Sequence, residues 1–509
     1  MGLNFERETI ETSEQVYEGF CQENIEDEIV LPDYCPEIFK ICKTNARVYV
    51  TESKISGKQC IITGKITFTV LYSSSIANRI QSYIHQTEFS HTFMMDEECQ
   101  NPQIRAKVVP EYVNSKASSR KKISFKSIIS IAVKVCCKKS NESLKCCDEK
   151  KICQNKKTIK STDTIAFCEK NVTISDEIYI DKHFPGISEI VMTKGLLKIN
   201  DKKILQNKIV IKGNIELNIL YNSSDNDDIT VYKCDMPCGQ IIDIDGASEE
   251  LESLVEGDIN DISFELYDDE TGETRIVKAD VNLNIKCEIM KNRDMEVLCD
   301  VFAYDCELDC KYKKIQNEYI HSKINDIKSV QSEITFDNKI DKISYIYGES
   351  KIEKVKIEND NIIINASVET TVIYVTIENS VEVQTKNIPF EYTCKAENAE
   401  NLLRLRANSK ILNTSFSILS DNKINCTIDV GIDGYIYCGN KYKVLSEAEI
   451  SSDKPEIEKH SMILYFAVKN ESVWEIAKKF KANKENIIAY NKLSGDRIEA
   501  DNMIIIPVN

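Results

Sequence analysis

The sequence predicts a mainly β protein: three tandem antiparallel β-sandwich or barrel-like repeats followed by a small βααβ module. Three observations lead there. Stretches of alternating apolar and polar residues recur along the chain, for example Ile66, Phe68, Val70 and Tyr72 on one side with Lys65, Thr67 and Thr69 on the other. That period of two marks a half-buried strand. Thirty-one residues separate Ile41 from Tyr72, Ile190 from Tyr221 and Ile343 from Tyr374, so the pattern repeats. Only the last fifty or so residues change period, with two short helical patterns between two apolar strands.

The repeats are whole domains, because Tyr221 follows Tyr72 by 149 residues and Tyr374 follows Tyr221 by 153. Their expected spans are 1–155, 156–315 and 316–450, then a linker at 451–460 and the module at 461–509. Each repeat opens on a short apolar signature: Pro36-Glu37-Ile38-Phe39-Lys40-Ile41, then Pro185-Gly186-Ile187-Ser188-Glu189-Ile190, then Asn338-Lys339-Ile340-Asp341-Lys342-Ile343. A strand-rich second half follows in each, including Ile123–Ile131, Ile276–Ile285 and Ile424–Val430. Burying one face of seven or eight strands gives a domain of this size an ample core.

In the module, Tyr465–Val468 reads as a strand and Glu471–Phe480 as a helix with Ser472 at its N-cap. Asn483–Asn491 reads as a second helix capped by Asn483, and Met503–Pro507 as the closing strand. This stretch resembles a LysM module, through Trp474, Ile476-Ala477, Ile487, Asn491-Lys492-Leu493, Ile498 and Ile506-Pro507 in order. LysM modules bind N-acetylglucosamine chains in a groove between two loops that commonly read Gly-Asp-Thr/Ser and Pro-Gly-Gln. Here the loops are Lys469-Asn470-Glu471-Ser472 and Ala500-Asp501-Asn502, without glycine. Glycine permits close backbone approach and positive φ, so its loss argues against peptidoglycan and for a protein ligand. The candidate protein-binding residues are Ile463, Lys469, Asn470 and Trp474. Three of them have an ordinary alternative: a strand-extending core residue for Ile463, a solvated lysine without a role for Lys469, helix packing for Trp474.

The opening Asp27-Glu28-Ile29-Val30-Leu31-Pro32-Asp33-Tyr34-Cys35-Pro36-Glu37-Ile38 resembles the start of SPOCS domains, a β-rich family of spore-forming clostridia and their relatives. The second copy keeps the proline and both isoleucines, and the third lacks the proline. SPOCS repeats ending in one LysM module are the architecture of a clostridial spore morphogenetic family. That resemblance implies a mother-cell cytosolic scaffold at the forespore surface. It also implies that the LysM module binds SpoIVA, the ATPase of the coat basement, and that the chain meets other coat proteins. The alternative is a peptidoglycan- or cortex-binding LysM protein.

Composition narrows the functional classes. A net charge of −17, with the acids dispersed, lacks the basic footprint of a duplex nucleic-acid binder. No apolar run is long enough to span a bilayer, so no integral membrane insertion is expected, and the N-terminus has no secretory pattern. The 20 cysteines are therefore expected to be reduced, with Cys136-Cys137, Cys146-Cys147 and Cys153 forming a thiol-rich loop. No closely spaced Cys/His pairs suggest a metal site, and Asp225-Asn226-Asp227-Asp228 lacks the glycine and distal glutamate of a calcium loop. Five scattered histidines, no phosphate-binding loop and no nucleophile elbow leave no catalytic residue or cofactor to nominate.

Overall fold

The computed structural model describes residues 5–507 apart from 75–78, 99–101, 150, 226–228, 359–360, 397–400 and 452–461. The expected linker thus lies outside the described residues except for Ser451, as does most of the 225–228 acidic run.

Each repeat is a sandwich of two three-stranded antiparallel sheets. In the first, β2 (Ile38–Ser56), β3 (Gln59–Ser74) and β4 (Ile80–Met94) form one sheet. The strands β1 (Phe5–Val30), β6 (Lys122–Cys147) and β5 (Gln103–Ser119) form the other, in that spatial order. The second repeat pairs β8 (Ile187–Leu205), β9 (Lys208–Ser223) and β10 (Ile229–Asp243) above β7 (Ile152–Tyr179), β12 (Thr274–Ala303) and β11 (Glu252–Asp268). After β13 (Leu308–Gln316) comes the third repeat. Its sheets are β15 (Ile340–Glu358), β16 (Asn361–Thr376), β17 (Val381–Lys395) and β14 (Tyr319–Thr335), β19 (Lys423–Cys438), β18 (Leu402–Ser420). Finally β20 (Lys441–Ile450) returns to pair with β13.

The 31-residue spacing now has a cause. Tyr72, Tyr221 and Tyr374 lie directly across the first hairpin from Ile41, Ile190 and Ile343. All three hairpins carry register shifts at the same places, after Ile38, Ile41 and Val50 and after their counterparts Ile187, Ile190, Ile199, Ile340, Ile343 and Ile352. Shared bulges preserve one residue count and one twist. The tyrosines are buried, and the Tyr72 and Tyr221 hydroxyls donate to the carbonyls of Pro36 and Pro185.

Alternation positions the cores as expected. Ile66, Phe68, Val70 and Tyr72 meet Ile129, Ile131 and Phe125 from the facing sheet, and the other two repeats build equivalent clusters. The opposite faces, however, do not all meet water. Leu71, Leu220 and Ile373, at matching positions of the three repeats, come together with Ile80, Ile229 and Tyr347 in a buried cluster shared by all three sandwiches. The repeats are grouped around a common junction with approximate threefold character. Beside it lies a cleft of about 780 Å³ lined from every repeat, by Asn45, Lys194 and Tyr347 among others.

Charge completes the junction. Glu288 of the second repeat is buried and accepts from Arg105 of the first (2.7 Å), Arg406 of the third (2.9 Å) and Thr164 (2.8 Å). Burial alone would raise its carboxyl, but the two guanidiniums overcome that and hold it below the usual carboxylate range.

Two expectations are corrected. The segment from Cys136 to Cys153 is no loop: Cys136, Cys137, Cys146 and Cys147 lie on β6 and Cys153 on β7. Its apolar positions, with Leu298, Val301, Leu445 and Ala448, pack the ends of β6, β7 and β12 onto the β13–β20 ladder. Nor are all the thiols reduced: among the described residues eighteen cysteines are free, whereas Cys137 is disulfide-bonded. β7, which runs through residue 155, pairs with β12 along its whole length.

Candidate functional site

The C-terminal module is built on a two-stranded sheet, β21 (Met462–Ala467) against β22 (Asn502–Pro507), with α1 (Val473–Phe480) and α2 (Lys484–Asn491) between them. Ala467, Val473, Ile476, Ala477, Ile487, Ile498, Ile504 and Ile506 form its core. The Asn483 side chain caps α2 by accepting from the Asn486 amide (3.0 Å). Ser472 holds the extended N-cap backbone of α1, yet its side chain makes no capping bond. Lys481 and Lys492 end the two helices in the left-handed conformation.

The loops that flank a LysM groove are tied to each other through the backbone. Asn470 N donates to Ile498 O (2.7 Å), Ile498 N to Glu471 O (3.0 Å) and Val473 N to Asp496 O (3.0 Å). The Lys469 amide donates to Asp501 Oδ1 (2.7 Å), and Arg497 Nη1 to Asn470 O (2.8 Å). Asn470 adopts φ +68°, so asparagine here takes the left-handed backbone that glycine most readily adopts. Asparagine is among the side chains that tolerate this region.

The four predicted residues do not form one surface. Lys469 and Asn470 are exposed at the first loop. Ile463 is half-buried, opposite Ile506 on the core-facing side of the sheet. Trp474 is only 6% exposed, and it is covered by the chain itself. Its ring packs on Phe302 of β12 with centroids 5.1 Å apart, and its Nε1 donates to Asp300 Oδ2 (2.9 Å). Lys478 Nζ, one turn further along α1, reaches both Asp300 oxygens at 2.7 Å, and the Tyr312 hydroxyl of β13 donates to the same carboxylate. Lys481 adds an ion pair with Glu307. Burial would raise the Asp300 carboxyl, but its bonds from Lys478, Tyr312 and Trp474 hold it below the ordinary 3.8.

Asp300, Phe302, Tyr312 and Lys478 were not singled out from the sequence. One signal was present: Asp300 interrupts the apolar run Val297-Leu298-Cys299-Asp300-Val301-Phe302-Ala303. A carboxylate in such a strand needs a partner, and the sequence does not say that this partner lies 174 residues away.

The family models agree with this architecture. The one described as "SipL, SPOCS domain" matches residues 37–118, 186–267 and 339–419, and the one described as "LysM domain" matches residues 467–507. The chain is a SPOCS-repeat protein with a C-terminal LysM domain. Each SPOCS match spans the strands from β2 to β5, β8 to β11 and β15 to β18, so the remaining strands of each repeat complete the second sheet around the family unit. Comparison with curated proteins and with solved structures finds no match. These domains are binding and scaffold types, and together they mark a sporulation coat-associated protein with a LysM binding module. Among the described residues no helix is long and apolar enough to cross a membrane.

Proposed function

We propose that the chain is a non-enzymatic scaffold of spore coat assembly. In this reading it works in the mother-cell cytoplasm at the forespore surface and binds the coat-basement ATPase SpoIVA through its LysM domain, enabling coat encasement by further coat proteins. The observation that carries the reading is the union, in one chain, of three SPOCS repeats packed around a common junction and a LysM module seated on that assembly. A protein ligand is favoured because the loop amides of Asn470, Ile498, Val473 and Lys469 already donate within the module. They are not free to recognise sugar carbonyls or hydroxyls.

One observation favours the second reading, peptidoglycan binding: Asn470 preserves a glycine-like backbone at φ +68°. The two readings separate when the purified full-length chain is offered SpoIVA and, in parallel, purified sacculi and chitin oligomers. The scaffold reading expects capture of the ATPase and at most weak retention on sacculi. Micromolar binding to chitin oligomers without ATPase capture overturns it.

A further inference from the structure

The module's sheet has a second face that neither helix covers. On β21 the side chains of Met462, Leu464 and Phe466 alternate outward, each more than half exposed, and Val468 continues the row. The register sets Met462 opposite Pro507, Leu464 opposite Ile505 and Phe466 opposite Met503. Opposed residues of an antiparallel pair share a side, so the exposed face is apolar throughout.

The edges of this sheet differ. The outer edge of β22 is closed at Ile505, whose amide donates to Asn491 Oδ1 (2.7 Å) and whose carbonyl accepts from Asn491 Nδ2 (2.6 Å). On β21, among the described residues, no group bonds the outer edge between Met462 and Ala467. From Met462 to Val468 there is also no charge, glycine or proline. Native sheets protect open edges with charges, prolines or a covering element, because an unprotected apolar edge recruits another strand. Here the unprotected edge adjoins the unprotected face.

The geometry points to β-strand addition: an extended partner segment, apolar at alternate positions, pairs with the outer edge of β21 and extends the apolar face. This inference rests on the protein-binding reading of the LysM domain and assigns its contact surface. A strand fits better than a helix, which would cover the face and leave the edge unpaired. The preceding stretch Ser452-Asp453-Lys454-Pro455-Glu456-Ile457-Glu458-Lys459-His460-Ser461 is too polar in sequence to serve. A second copy is disfavoured on charge. Each copy carries a net charge of −17. Like charge on both copies opposes their approach, whereas a partner segment need carry no such charge. Lys469, exposed at the end of β21 without an ion pair among the described residues, suits a carboxylate at the end of the incoming segment.

The test is amide hydrogen exchange on the full-length chain, alone and with purified SpoIVA. Alternate amides of β21 should exchange at least about tenfold more slowly in the complex, since backbone pairing protects them as it protects any ladder. The variant Leu464→Lys/Phe466→Lys should lose at least about tenfold in affinity, because buried unpaired charge opposes binding, with Trp474 emission unchanged as the sign of an intact module. ATPase binding without added protection on β21 overturns the strand-addition surface and leaves the scaffold reading standing. No ATPase binding by the unaltered chain overturns both. Protection of β21 that rises with the chain's own concentration, without the ATPase, assigns the edge to a second copy and overturns the inference.

Discussion

Replacing Asp300 with alanine should release the LysM domain from the β assembly. The carboxylate accepts Trp474 Nε1 at 2.9 Å and Lys478 Nζ at 2.7 Å, both from α1, while its backbone belongs to β12. A hydrogen bond involving a charged group contributes about 1.5–3 kcal/mol. The low end applies here because the Lys478 side chain is about a third exposed and recovers hydration when released. Two such bonds give about 3 kcal/mol, which loosens docking by about 150-fold. The Trp474–Phe302 contact and the Lys481–Glu307 pair remain to hold the module part of the time. Trp474 is the chain's only tryptophan, so emission reports this contact without a label. Asp300→Ala should shift the emission to the red and raise acrylamide quenching. Asp300→Asn, which keeps an acceptor for the indole but loses the charge facing Lys478, should fall between. The same carboxyl supplies a pH dependence. Its acidity is strengthened in the folded chain, so its contribution to docking is complete above the ordinary 3.8 and is lost as pH falls through the lowered value. An Asp300→Ala chain with wild-type emission and quenching refutes the argument that this carboxylate holds the module.

Three further outcomes are expected. Thr370→Val should stabilise the third repeat by about 1 kcal/mol, seen as a higher denaturant midpoint at unchanged slope; its hydroxyl is buried without a partner among the described residues, where the other repeats have Phe68 and Leu217. Glu288→Gln should destabilise the junction by about 3 kcal/mol, because Arg105 and Arg406 would face each other across a neutral group; an unchanged calorimetric melt would remove the carboxylate from the account of how the repeats cohere. Lys469→Glu should leave thermal stability within about 0.5 kcal/mol, as for other exposed loop positions, while weakening SpoIVA capture measured by calorimetry.

Much of the fold was legible because strand formation is local. Alternation in Ile66-Thr67-Phe68-Thr69-Val70 identifies the inward face, and the 31-residue count reflects a hairpin whose bulges recur in every repeat. The same strand carried a message that alternation obscures. Leu71, Leu220 and Ile373 occupy the face that period two assigns to solvent, each just before its tyrosine, and their apolar character announces the junction between repeats. The candidate site was less legible. Lys469 and Asn470 sit on the exposed loop as the sequence suggested, but Trp474 turns inward to β12 and Ile463 toward the module core.

By itself the sequence determined the repeat count, the strand faces and the terminal βααβ pattern, since each follows from periodicity, capping and turn chemistry within a few dozen residues. Tertiary structure alone decided how three sandwiches share one apolar junction, why Glu288 gathers an arginine from each neighbouring repeat, and that Asp300 meets α1. Those pairings depend on residues more than a hundred positions apart. Their free energy comes from desolvated charge and from apolar surface buried only once the repeats close together, and no local pattern encodes which distant surface will supply the partner.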